Sequence, residues 1–201
     1  NKPQLAGFIY MAAVMTKLQN MIYGPLFFLF LWQATGSAGL IKGMAGSLLG
    51  FLGLNFEFLL HHEMGRVVTS LSENYDYFPW ASLNAFNLWW IAVGGKGMEV
   101  TDKFLTIGLV NAKKLGLFIF SNFYLLAIIN ILMVNIRNWG KTLQDNSRSE
   151  DFKLIIYRFL TGLIIVNTAF FLFQTQSHDR YAFPLSVFLL LTANALLDLY
   201  L

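Results

Sequence analysis

The sequence predicts an all-α, polytopic membrane protein with five to seven membrane-embedded helices, organised as a single transmembrane domain over residues 1–201. Three observations lead there. Hydrophobic residues make up 56% of the 201 and charged residues only 12%, whereas a soluble domain carries about 25% charged residues. Mean hydropathy is +0.56. The apolar residues also fall into runs close to the ~20 residues that cross ~30 Å of hydrocarbon, separated by short polar breaks. Helices follow because an isolated strand cannot satisfy its backbone in lipid.

Residues 5–16 are apolar and rich in small side chains, and Lys17-Leu18-Gln19-Asn20 interrupts them. Residues 21–32 are apolar again, with Pro25 near the start, where a helix tolerates it. A lysine beside glutamine and asparagine is costly in mid-bilayer, which favours two helices meeting at one interface over one long kinked helix. Residues 33–43 read as a loop of small residues, and residues 44–60 as a span. Gly46, Gly50 and Gly53 in that span permit close helix approach.

Residues 62–103 form the longest non-spanning stretch. Tyr75, Tyr77, Phe78, Trp80, Phe86, Trp89 and Trp90 suit the headgroup zone, which predicts a short amphipathic helix and a folded loop on the bilayer surface. Asp102 and Lys103 are expected to open a further helical stretch ending at Lys113-Lys114. Residues 115–136 form a span, 137–153 a hydrophilic linker, 154–174 a span, 176–180 a polar turn, and residue 184 onward the last span. No internal repeat or low-complexity tract is present. The chain opens without an initiator Met and stops inside an apolar run, so it is expected to be a piece of a longer polytopic protein, with a complete small protein as the other reading.

Orientation rests on the positive-inside rule. Placing the 137–153 linker in the cytoplasm puts the 33–43 loop there too. The Lys17 break, the 62–103 loop and the 177–180 turn then fall on the opposite, extracytoplasmic face. Basic residues divide evenly between the two sides, so the compact linker carries the argument.

Net charge is +3 and reflects few acids more than many bases, so no nucleic-acid partner is indicated. There is no cysteine, which excludes disulfides and thiolate metal sites. His61-His62-Glu63 invites a metal reading. Adjacent helical residues diverge by ~100°, however, and no HExxH pattern is present, so no metal is expected. With no glycine-rich phosphate loop or Gly-x-Ser-x-Gly elbow, no cofactor is expected.

Three polar constellations share the extracytoplasmic face. His178-Asp179-Arg180-Tyr181 is the densest. Arginine holds phosphate through paired donors and histidine exchanges protons near neutrality. The same four residues also suit an interfacial anchor. Within residues 79–89, Asn84 and Asn87 are three apart and would share one helical face. Phe86, Trp89 and Trp90 would wall a sugar or lipid groove, or form an interfacial aromatic belt. Lys17 and Gln19 would meet a phosphate, or end a helix in water.

The order of these motifs resembles the later part of the GT-C-type glycosyltransferases. It is most similar to the mannosyltransferase family related to the second mannosyltransferase of GPI-anchor synthesis. That family's Thr-Lys-Pro-Gln is matched by Thr16-Lys17-Leu18-Gln19, with Leu for Pro. Its Ser-x-Asn-Ala-Phe-Asn-Leu-Trp is matched by residues 82–89, and its His-Glu-Arg-Tyr by His178-Asp179-Arg180-Tyr181, with Asp for Glu. The resemblance implies a GT-C-like membrane enzyme of the bacterial or archaeal plasma membrane. It would transfer a hexose such as mannose from a polyprenyl- or dolichyl-phosphate donor, with inversion, outside the cytoplasm. Arg180, His178 and Lys17 would face the phosphate, with Asp179, Tyr181 and Gln19 beside them. Asn84, Asn87 and Trp89 would shape the pocket. The family's general base is a carboxylate of the first extracytoplasmic loop, which is expected to lie outside this chain.

The partners expected are the lipid-linked sugar, membrane lipids and further membrane subunits. Two other classes compete. One is a non-enzymatic subunit scaffolding a larger complex. The other is a transporter, which would place charges at the midplane, whereas the clearest charges here lie at span ends.

Overall fold

The structure, a computed structural model, describes residues 2–73, 78–138 and 147–200. Every regular element among them is helical: α1 (Pro3–Thr16), α2 (Gly24–Leu54), α3 (Phe56–Leu60), α4 (Met64–Glu73), α5 (Leu88–Ala92), α6 (Ala112–Asn138), α7 (Ser147–Phe173) and α8 (Phe183–Tyr200). Short 3-10 turns join α1 to α2 and lead into α8. The all-α class is therefore the observed one, with only isolated backbone bridges besides helix among these residues. By length and composition three helical stretches suit a membrane crossing: Ala112–Met133, Phe152–Phe173 and Leu18–Leu54, the last of which is divided at Gly36. The chain is accordingly a membrane protein of transmembrane helices. It divides into two compact units, Asn1–Tyr77 and Phe78–Leu201.

In the first unit α2 is not one rod. Gly36 adopts φ 70°, ψ −175° inside it, a backbone state open essentially to glycine alone. A Cβ built on Gly43 would come 2.5 Å from Leu31 Cδ1, whereas twelve residues of continuous helix span about 18 Å. The chain thus reverses at Gly36, and residues 24–35 and 37–54 are two arms of a hairpin. The loop expected over 33–43 is reduced to this single residue, with helix on both sides. The span expected over 44–60 is likewise redrawn, since helix runs from 37 to 54, breaks at Asn55 and resumes only as α3.

Helix α1 lies against the second arm with almost no side chain between them. A Cβ at Gly7 would collide with the Gly43 carbonyl oxygen, and one at Gly46 with that of Gln4. Ser47 donates its hydroxyl to Gly7 O at 3.0 Å across the seam. At the other end of α1, Tyr10 stacks on Phe27 (centroids 4.6 Å) and donates its hydroxyl to Asn20 O. Helix α4 is amphipathic, burying Val67 and exposing Arg66, which pairs with Glu63 at 3.1 Å. The expected amphipathic helix is therefore present. Tyr75 and Tyr77, read with it, lie outside the described residues.

The second unit is built on an antiparallel hairpin of α6 and α7. Gly116 meets the carbonyl of Phe173 at one end. Further along, Arg158 Nη1 donates to Asn130 O (2.8 Å) and Oδ1 (3.2 Å), and Asn130 Nδ2 donates to Arg158 O (3.1 Å). The start of α6 and the end of α7 consequently share one end of the unit. The finish of α6 and the start of α7 lie at the opposite end, about 40 Å away by helix rise. Two sequence boundaries are corrected here. The 137–153 linker is shorter than expected, because α6 runs to 138 and α7 begins at 147; residues 139–146 lie outside the described residues. Asp102 and Lys103 do not open a helix. Residues 101–111 are a chain of turns, in which Gly108 at φ 61° and Leu105 at φ 56° break any helical run.

Candidate functional site

The end of the second unit that carries the α6 start and α7 finish is covered by residues 78–111 and by the turn after α7. Helix ends leave the last carbonyls without intrahelical donors, and lipid supplies none. Residues 82–89 answer that need for α7. Asn87 Nδ2 donates to Phe171 O (3.3 Å) and Gln174 O (3.1 Å). Trp89 Nε1 donates to Phe173 O at 2.7 Å. Ser177 Oγ donates to Phe170 O at 3.2 Å. Asn87 works in two directions, because its Oδ1 also accepts from Trp90 N (3.0 Å) and caps the start of α5.

Asn87 and Trp89 are both buried, as is Ser82, whose hydroxyl donates to Ala85 O at 2.7 Å. The expectation that Asn84 and Asn87 share a helical face fails. Asn84 sits in the loop at φ 58° and is exposed, while Asn87 is the buried residue that starts α5. Only the short stretch from Leu88 is helical, so the three-residue spacing never acts as a helical one.

The loop and the turn are joined by backbone. Leu83 N donates to Ser177 O (2.8 Å), and Gln176 N donates to Trp80 O (3.1 Å). Leu83 and Asn84 each form a bridge with His178. Asn84 and His178 are therefore neighbours, although 94 positions separate them. The His178 ring meets Phe78 edge-on at 6.3 Å and Tyr181 at 5.2 Å. Asp179 and Arg180 are exposed; Asp179 Oδ1 accepts from Arg180 N at 2.7 Å, so this carboxylate shapes its own turn. Tyr181 is half-buried against Phe170, and its backbone carbonyl accepts from the buried Asn167 of α7 at 3.3 Å. Burial raises the Tyr181 phenol above its ordinary pKa, and the Arg180 charge pulls it partly back.

Lys17 and Gln19 belong to the first unit. Lys17 is exposed and ends α1. Both polar atoms of the Gln19 carboxamide are buried without a hydrogen-bond partner among the described residues. Leaving such a group unsatisfied costs about 1–3 kcal/mol.

Sequence reasoning missed a buried network at the same end of the second unit. Asp102 is fully buried. Its Oδ2 accepts from Gln176 Nε2 at 2.7 Å and lies 3.5 Å from Lys113 Nζ. Its backbone accepts from Lys113 N and donates to Pro79 O. Asp102 thus fastens the 78–111 loop to α6 and to the residue two before His178. No signal in the sequence sets Asp102 apart, since Lys96, Glu99 and Lys103 stand close to it along the chain.

Chemically, this end of the unit presents a histidine, a guanidinium and a carboxamide beside one another on a frame of satisfied helix termini. Compared with family models, curated proteins and solved structures, the chain matches none.

Proposed function

We propose that the chain is the later part of a membrane glycosyltransferase that moves a hexose such as mannose from a polyprenyl- or dolichyl-phosphate sugar to a lipid, glycan or protein acceptor on the non-cytoplasmic face. The observation that supports this most is the pairing of Leu83 and Asn84 with His178. It brings two motifs that are far apart in sequence to one membrane-proximal end of the α6–α7 hairpin. In this reading Arg180 and His178 steady the departing lipid phosphate through charge-assisted hydrogen bonds. Asn84 offers its carboxamide to sugar hydroxyls. Asp179 and Tyr181 shape the turn, and Asn87 and Trp89 position the loop from behind. A carboxylate from elsewhere in the protein activates the acceptor hydroxyl.

A second reading, a non-enzymatic subunit that scaffolds a membrane complex, is favoured by one observation. Asn87 and Trp89 are wholly taken up in capping helix termini, so the 82–89 segment has a sufficient structural reason to exist.

Transfer of labelled mannose from a polyprenyl-phosphate donor, measured in membranes carrying the protein, separates the two. Arg180→Lys keeps the charge but loses the planar fork, and should lower transfer. Arg180→Ala should lower it further, by about 100-fold, the usual loss on removing one donor to developing charge. Since Arg180 is exposed, neither change should alter folding. Unchanged transfer in Arg180→Ala, or none by the parent protein, would favour the scaffold.

A further inference from the structure

Residues 105–110 carry an apolar surface that the fold leaves uncovered. Ile107 is 75% exposed and Leu109 87%, with Leu105 and Val110 exposed beside them. Turn positions usually hold Gly, Asn, Asp, Ser or Pro, and here only Gly108 fits. The turn is nonetheless well built. Ile107 N donates to Val110 O at 2.8 Å, Val110 N returns the bond at 3.1 Å, and Gly108 takes the left-handed φ of 61° that the reversal requires. Below the tip, Thr106 Oγ1 donates to Lys103 O at 2.7 Å and Ala112 N to Phe104 O at 3.1 Å. A turn held this way presents its leucines and isoleucine in a fixed arrangement.

Its position suggests what covers it. The tip ends two residues before Ala112, where the apolar stretch Ala112–Met133 begins. Two exposed lysines flank it: Lys103 at its base and Lys114 in the first turn of α6, whose Nζ donates to Leu109 O at 2.6 Å. Apolar tips bordered by lysines at the mouth of a span match the boundary between acyl chains and anionic headgroups.

We infer that the 105–110 turn dips into the bilayer leaflet next to the start of α6 and anchors the 78–111 loop to lipid. The partner is the acyl region of the membrane, with Lys103 and Lys114 at the phosphate level. The anchor is independent of whether the chain transfers sugar.

The absence of cysteine makes the test direct. Leu109→Cys and, separately, Glu99→Cys, at an exposed polar position of the same loop, would each carry a nitroxide label in protein reconstituted into phospholipid vesicles. Collisions with oxygen, which concentrates in lipid, and with a water-soluble nickel chelate would then be measured by power saturation. The label at 109 should collide several-fold more with oxygen than with nickel, and the label at 99 the reverse. Nickel collisions dominating at 109 would place the turn in water. Low collisions with both reagents would place it against protein. Either result overturns the inference.

Discussion

The two units solve the same problem by opposite means. The first holds α1 against the second arm of α2 by leaving side chains out. Gly7, Gly43, Gly46 and Gly50 let backbones touch, and one hydroxyl, that of Ser47, bridges the seam. The second relies on polar side chains put in. Asn87, Trp89 and Ser177 reach the free carbonyls of α7, and Asp102 ties the loop to α6. The contrast is not absolute, since Gly116 lets α6 approach Phe173. It teaches that a helix flank in lipid is best served by small residues, whereas a helix end needs donors and must obtain them from the loop above it.

The sharpest way to break that comparison is Gly46→Ala. The added methyl would strike the Gln4 carbonyl, and backbone cannot swing aside as a side chain does. Overpacking of this kind costs about 3 kcal/mol. The matched control is Gly53→Ala, whose methyl meets nothing within 4 Å and which should stabilise by up to about 1 kcal/mol. Unfolding in mixed micelles with increasing dodecyl sulfate would report both. Equal effects at the two positions would show that the seam is looser than described.

Next in size is Asn87→Ala, expected to cost about 2 kcal/mol. It removes an N-cap and leaves the Phe171 and Gln174 carbonyls unpaired in a water-poor setting. Trp89→Phe is milder. It keeps an aromatic ring next to Phe104, and the lost bond to Phe173 O accounts for about 1 kcal/mol, beside the smaller volume of the buried ring. Should Asn87→Ala prove neutral, water must reach the end of α7, and the capping account would be wrong.

These same residues show what was legible beforehand. The all-α class followed from composition, because lipid permits little else. The close seam was announced by Gly46 and Gly50, since small residues at helical spacing have few other uses in a span, whereas Gly53, read with them, meets nothing within 4 Å. The reversal was legible as the small-residue loop read over 33–43, but its confinement to Gly36, with helix resuming on both sides, was not; only the backbone torsion shows that. At the site, residues 82–89 were conspicuous as a motif, but the division of labour within it was not. Asn84 and Asn87 are the same side chain three positions apart, yet one is exposed and the other buried and doubly used. That difference arises from the end of α7, more than eighty residues away, which no local pattern encodes. Asp102 was misread for the same reason. An acid ahead of an apolar run signals a helix start, until Gln176 and Lys113 are seen converging on it.

The smallest effect is the most discriminating. Ser47→Ala deletes the one hydroxyl bond across the glycine seam and changes no shape. If the first unit is held by close packing, that bond is an accessory. Hydrogen bonds between membrane helices are worth about 0.6 kcal/mol on average, because the separated helices find other partners in the membrane. Ser47→Ala should therefore cost about that much, less than Trp89→Phe and far less than Gly46→Ala. The ordering matters more than the values. A loss at Ser47 larger than that at Trp89 would mean that the seam depends on a polar bond after all, and the proposed division between a flank held by absence and an end held by donors would collapse. A loss near zero, with Gly46→Ala still severe, would leave backbone contact alone as the force that joins α1 to the arm beside it.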